Sequence, residues 1–319
     1  MTSRTKVQEL DLDEEFEPFP PGSSLGEQAP EVVVAFLREI GNHEAADNIA
    51  AAGGTGQGFL GFGNSPYTAT GVAYGLIDDD RSGSVSRVLT GNRIAADPSL
   101  AGTRIKVTLD HFYAAEYPGR GKQSILCEFQ GKNQIAGSSE PIHFAATLTV
   151  QNQDSAGITG LPLFLGLTVG KNGIQLSGRT VYVGSTSDDA LMGIFDSEIY
   201  KKGLSLLSTA QPALAPLALT AGGVIKFLIN GPKNQEVHQF KMGFDFTGSK
   251  TSPRLRLGSY IVAQGGDQST IPLSSCVWDN ERSRLYNQRT GKEVTEFNYM
   301  VFGISSFDEE IFGENRLGS

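Results

Sequence analysis

The chain has 319 residues, among them 39 glycines, 14 prolines and two cysteines, and a formal net charge of -9. That length can bury one large core or two smaller ones, and we expect two. The Gly, Pro and small polar content suits many short strands joined by turns and speaks against a mainly helical protein; the acidic balance speaks against a grip on nucleic acid, which needs clustered Lys and Arg.

Residues 1–28 read as a disordered acidic leader. Positions 9 to 21 combine six carboxylates with Leu10, Leu12, Phe16 and Phe19 and then end in prolines, so self-repulsion and proline geometry oppose folding of the segment alone. It is either a solubilising leader or a short linear motif whose four apolar residues dock on a basic protein partner. With no apolar h-region there is no secretory signal, and a cytoplasmic protein with free, buried Cys127 and Cys276 is expected.

Pro30-Glu31 opens a helix, with Pro suited to the first turn and Glu to the positive end of the dipole. Val33, Phe36, Leu37 and Ile40 share one face, Gly41-Asn42 ends it, and His43 to Ala52 forms a second helix with Ala46 and Ile49 inward. The glycines at 56, 58 and 61 spell G-x-G-x-x-G. A dinucleotide site needs a strand before that motif and a helix after it, and neither is present, so we read a glycine-rich loop or irregular edge strand.

Asp78, Asp80, Ser82 and Ser84 stand at positions 1, 3, 5 and 7 of a calcium loop, with Gly83 at position 6. Leu89 replaces the bidentate Glu at position 12, and the flanks do not read as paired helices. An acidic turn between strands is the simpler expectation, with calcium the one candidate cofactor.

The clearest strand pattern runs from Arg104 to Ile135. Ile105, Val107 and Leu109 alternate with polar residues, Glu116 to Lys122 holds a Pro-Gly pair and a second glycine, and Ile125, Cys127 and Phe129 resume the alternation. This predicts a hairpin, with Asp110, His111, Glu116 and Arg120 as a candidate polar cluster at its end. Asp110 and His111 are expected on opposite strand faces. Further strands follow at 142–150 and 161–169, and Asn172-Gly173 predicts a second hairpin into 174–183.

From Ser187 to Lys202 the period changes to that of a helix, with a serine cap, two leading aspartates and two closing lysines. Residues 203–225 carry no charge, but Pro212, Pro216 and several hydroxyls make a buried crossover a better expectation than a membrane span. Alternation returns in Phe240, Met242, Phe244 and Phe246, then near Leu255 to Val262, Trp278, Leu285-Tyr286 and 294–304.

The expected fold is therefore mainly β: two antiparallel sandwich-like lobes at 29–186 and 230–307, a short N-terminal helical element, a helical connector at 187–229, and a frayed tail at 308–319. No G-x-S-x-G elbow, paired histidines or zinc spacing is present, so no catalytic residue is assigned. A non-enzymatic protein-binding or assembly module, through a protein partner or self-association, fits best; a membrane-active or pore-forming effector and a calcium-dependent binder are the alternatives.

Overall fold

The structure is a computed structural model that describes residues 23–53, 65–79, 83–135, 138–184, 233–247, 252–265 and 271–307. The leader motif at Leu10, Leu12, Phe16 and Phe19, most of the glycine-rich stretch, the connector at 187–229 and the tail at 308–319 lie outside the described residues. Residues 23–28 do not continue a loose leader: they form a short 3-10 turn, with Ser24 and Leu25 buried.

Two helices come first, α1 (Pro30–Glu39) and α2 (His43–Gly53). Proline begins α1, Gly41 at φ +81° closes it, and Val33, Phe36, Leu37, Ala46 and Ile49 are buried as their spacing predicts. The strands are β1 (Gly71–Ile77), β2 (Val85–Thr90), β3 (Arg104–Ala114), β4 (Lys122–Ile135), β5 (Ser138–Gln151), β6 (Asp154–Ser155), β7 (Leu161–Thr168), β8 (Gly173–Val183), β9 (Asn234–Asp245), β10 (Gly258–Gly265), β11 (Cys276–Asp279), β12 (Arg284–Asn287) and β13 (Asn298–Ser306). The protein is mainly β, and the strands build two antiparallel sheets.

The larger sheet has nine strands, in the order β12, β11, β2, β1, β10, β13, β3, β6, with β7 also paired to β3; the smaller has four, in the order β5, β4, β8, β9. Their facing sides make the main core. Ile105, Val107 and Leu109 of β3, Tyr260 and Val262 of β10 and Phe302 of β13 meet Ile125, Cys127 and Phe129 of β4 and Phe240, Met242 and Phe244 of β9. Phe129 and Phe240 both meet the Phe302 ring, at 5.5 and 5.8 Å between centroids, which is aromatic edge packing.

The larger sheet is apolar on its other side as well. Tyr113, Ile261, Ala263, Tyr299 and Val301 pack there with Trp278 and Leu285, so the β11–β12 end of the sheet curls over its own outer face. The two ends of the strand path meet where Arg284 of β12 binds Asp154 of β6 at 3.1 Å, with the guanidinium 4.8 Å above the Tyr113 ring.

Two expectations are corrected. The segment 104–135 is not a hairpin, because β3 belongs to the larger sheet and β4 to the smaller. A hairpin turn sits in water, whereas here Ala114, Ala115 and Tyr117 are buried. The Tyr117 hydroxyl donates to Thr180 Oγ1 at 3.0 Å and its backbone N–H donates to Asn152 Oδ1 at 2.9 Å, so the turn is an anchored crossing from one layer to the other. Asn172-Gly173 likewise leads from β7 in one sheet to β8 in the other, with only the Gly170–Gly173 bridge between them. Only Gly173 of that pair has positive φ.

The boundary expected between lobes at 29–186 and 230–307 also does not separate the sheets. β9 completes the smaller sheet built from β4, β5 and β8, while β10 to β13 enter the larger one beside β1, β2 and β3. Alternation defines a strand's faces but is silent about its neighbour, and both sheets offer faces of the same kind.

Gly173 holds φ +114°, and a Cβ there would meet the Phe244 carbonyl oxygen. Gly173→Ala should therefore lower stability by about 2 kcal/mol or more, from strained backbone plus displacement of β9. Urea denaturation checks this.

Candidate functional site

Asp110 and His111 lie on β3, where the pairing to β13 slips: Leu109 faces Phe302 and His111 faces Val301. This bulge leaves Leu109 and Phe112 in the main core and turns both Asp110 and His111 to the outer face, against the expectation of opposite faces. Thr108 Oγ1 donates to Asp110 at 2.6 Å. Glu116 is held elsewhere, its N–H donating to Asn298 Oδ1 at 3.0 Å and its carboxyl pushed up by burial against a hydrogen bond from Ser65. Arg120 is exposed and reaches Glu44 of α2 at 3.4 Å. Among the described residues no hydrogen bond or ion pair links these four to one another.

His111 instead meets Ser155 of β6, Nε2 to Oγ at 2.9 Å, the separation of a base and a nucleophile. Its imidazole stacks on Tyr299 at 5.7 Å and takes Trp278 edge-on at 5.6 Å. Burial, followed by the Arg284 charge, pushes its pKa down from 6.5 to about 4. An imidazole so weakly basic is a poor general base near neutral pH, and among the described residues no carboxylate orients its other nitrogen. The pair ties β6 to β3.

The outer face of the smaller sheet carries a group that sequence reasoning missed. Arg179 of β8 donates from Nε to Glu128 of β4 at 2.6 Å and from Nη1 to Glu236 of β9 at 3.3 Å, and each carboxylate side chain is 1% exposed. Pairing of Glu128 with Arg179 across the ladder sets the first contact. The second depends on a bulge in β9, where Thr180 faces His238 but Val181 faces Glu236. Burial raises the Glu236 carboxyl, while the Ser23 hydroxyl and Arg179 act to lower it. Two carboxylates and one guanidinium removed from water form a register lock for three strands.

The same bulge places Val237 in the main core, beside His238, which shares the inward face of Phe240. They contribute to a cleft of about 300 Å³ at the sandwich edge, lined by Ser24, Glu27, the start of β1 from Ala69 to Tyr74, and β9 from Val237 to Lys241. That volume lies at the small end for ligand clefts. His238 is buried, its pKa is pushed down to about 3, and its Nε2 has no hydrogen-bond partner among the described residues.

β9 is an outer strand of its sheet, so half its backbone groups point away from β8. Three of these positions are covered. The Tyr74 hydroxyl donates to the Lys241 carbonyl at 2.9 Å, Gln264 donates to the Val237 carbonyl at 3.2 Å, and Asp245 exchanges backbone bonds with Pro253 and Leu255. Between those caps the Lys241 N–H and both backbone groups of Gly243 have no partner among the described residues, and both residues are exposed. The free edge thus lies beside the cleft.

In the candidate calcium loop, Asp78 binds Arg87 at 3.0 Å and the Ser84 carbonyl accepts from the Asn280 N–H, while Asp80 and Ser82 lie outside the described residues. β1 and β2 pair across this loop, as expected of a turn between strands. Among the described residues no three metal-ligating side chains gather, and no helix is long and apolar enough to cross a membrane. No family model matches the chain, nor does any curated protein or solved structure.

Removing the shared cation should expose the cost of the buried acids. Arg179→Ala is expected to lose about 3–5 kcal/mol in urea denaturation, and Arg179→Met combined with Glu128→Gln and Glu236→Gln should recover most of it. The histidines give a pH signature. A group held neutral in the fold binds its proton more readily when unfolded, so stability present above pH 6.5 is lost as pH falls toward 4 for His111 and 3 for His238. His238→Leu should reduce the loss between pH 7 and about pH 4.5 by about 2 kcal/mol, read from denaturation at both pH values.

Proposed function

We propose that this chain is a non-enzymatic, cytoplasmic protein-binding or assembly module that takes an extended segment of a protein partner along the free edge of β9. The observation that carries this reading is the outward Lys241 N–H and the outward backbone groups of Gly243, which have no partner among the described residues and lie next to a cleft that can receive a side chain. An added strand gains affinity from main-chain bonds and specificity from alternate side chains that reach a pocket. The mixed lining of the cleft, with Val72 and Phe240 beside Gln239 and His238, suits a side chain better than it suits bond-breaking chemistry. Two buried, unpaired thiols, Cys127 and Cys276, agree with a reducing compartment.

Gly243 offers a clean test. Proline is tolerated on an edge strand whose N–H faces outward, yet it removes the donor an added strand needs. Gly243→Pro should leave the melting temperature within a few degrees of the parent and abolish capture of the partner retained by the parent chain in native pull-down. A partner kept equally by both proteins would place binding on another surface.

A further inference from the structure

The cleft beside the β9 edge also indicates which side chain of the partner enters it, an inference that rests on the edge-binding reading above. Of the residues that line it only Glu27 and Lys241 carry charge, since burial holds the His238 imidazole neutral. The two charges do not face the same way. Lys241 pairs with Ser177 on the outer face of the sheet, whereas His238 shares the inward face of Phe240 and Met242. Alternation therefore sends the Lys241 ammonium to the far side of β9 from the imidazole, and the exposed Glu27 is the charge left at the mouth.

The free polar atoms in the cleft are acceptors. Gln264 already takes the Ala69 and Val237 carbonyls at 2.7 and 3.2 Å, and the Tyr74 hydroxyl takes that of Lys241. Glu27 receives the Ser24 hydroxyl at 2.7 Å and the Ser24 N–H at 3.3 Å, both on Oε2, so its Oε1 has no hydrogen-bond partner among the described residues. His238 is 6% exposed and its Nε2 is also without a partner; a neutral imidazole keeps one ring nitrogen able to accept. Val72, Tyr74 and Phe240 supply apolar walls, along which a long aliphatic stem can lie with its charged head at the mouth. Arginine suits these walls better than lysine, because its planar head stacks on aromatic rings and pairs with a carboxylate through two donors. The net charge of -9 draws a basic segment toward the protein.

We propose that the cleft is a pocket for a basic residue of the partner: an arginine at an inward position of the added strand lays its stem against Val72, Tyr74 and Phe240 and donates from its guanidinium to Glu27. Its two neighbours in the partner point outward beside Lys241 and are therefore not basic.

The probe is acetyl-Val-Thr-Arg-Thr-Val-amide, titrated into the full chain and read from backbone amide shifts. Saturable shifts are expected at Lys241 and Gly243, and the same peptide with glutamine in place of arginine should bind about tenfold more weakly. Thr70 is exposed and lines the cleft, so its charge variants leave the Ser24–Glu27 cap intact. Thr70→Glu should tighten the arginine peptide and Thr70→Lys weaken it, each by about threefold. Glu27→Gln should bring the two peptides to equal affinity, with the β3 and β13 amides unchanged as a control for folding. Equal binding of the arginine and glutamine peptides to the parent overturns the proposal, as does indifference to the charge at position 70 or the absence of shifts at Lys241 and Gly243. The two readings fail separately. Loss of partner capture in Gly243→Pro with no preference between the peptides keeps the edge and removes the basic pocket, whereas charge-dependent arginine binding that survives Gly243→Pro keeps the pocket and removes the added strand.

Discussion

Strand β3 is buried on both faces, and much of the remaining architecture can be traced to covering it. Ile105, Val107 and Leu109 need one apolar layer, while Thr108, His111 and Tyr113 are buried on the opposite side. A strand with two dry faces cannot lie on the surface of a simple two-layer sandwich. The smaller sheet covers the first side, and the curled β11–β12 end, with Trp278 and Leu285, covers the second. The bulge at Asp110 follows from this double demand, because it lets two neighbouring polar residues leave the main core together.

Polar groups then fix the relation between the layers, which apolar contact alone leaves loosely specified. Tyr117 ties the crossing loop to Thr180 in the smaller sheet, and Gln264 ties β10 of the larger sheet to the Val237 carbonyl of β9. Arg179 joins β4, β8 and β9 on the far side. Each bond is directional, so a slip of one residue would leave buried donors or acceptors without partners. The bulge in β9 serves both ends of this arrangement: it sends Glu236 to Arg179 and leaves Val237 in the core, where its carbonyl meets Gln264.

Much of the local structure was legible in the sequence. The faces of α1 and α2 and the alternation through Phe240, Met242 and Phe244 follow from spacing and residue type. Strand partnership was not legible. A hairpin and a layer crossing can share the same Pro-Gly turn, and what separates them is whether Tyr117 finds a buried acceptor on a strand 63 positions away. Glu128 and Arg179 look like ordinary water-facing residues of alternating strands until the ladder sets them side by side. His238 continues the inward face of Phe240, Met242 and Phe244, whereas Glu236 gave no signal, because its place depends on one extra residue in β9.

The interleaving of the two halves has a consequence for biosynthesis. β3 needs β13 as its neighbour in the larger sheet, with Ile105 near the start of one paired to Ser306 at the end of the other, and the smaller sheet needs β9. A nascent chain that has released β1 to β8 from the ribosome therefore has neither sheet complete and holds apolar strand faces that only later residues cover. Such long-range closure folds slowly and leaves unpaired strands exposed in the interval. Closure of the larger sheet thus waits for the last described strand of the chain, β13, to insert between β10 and β3.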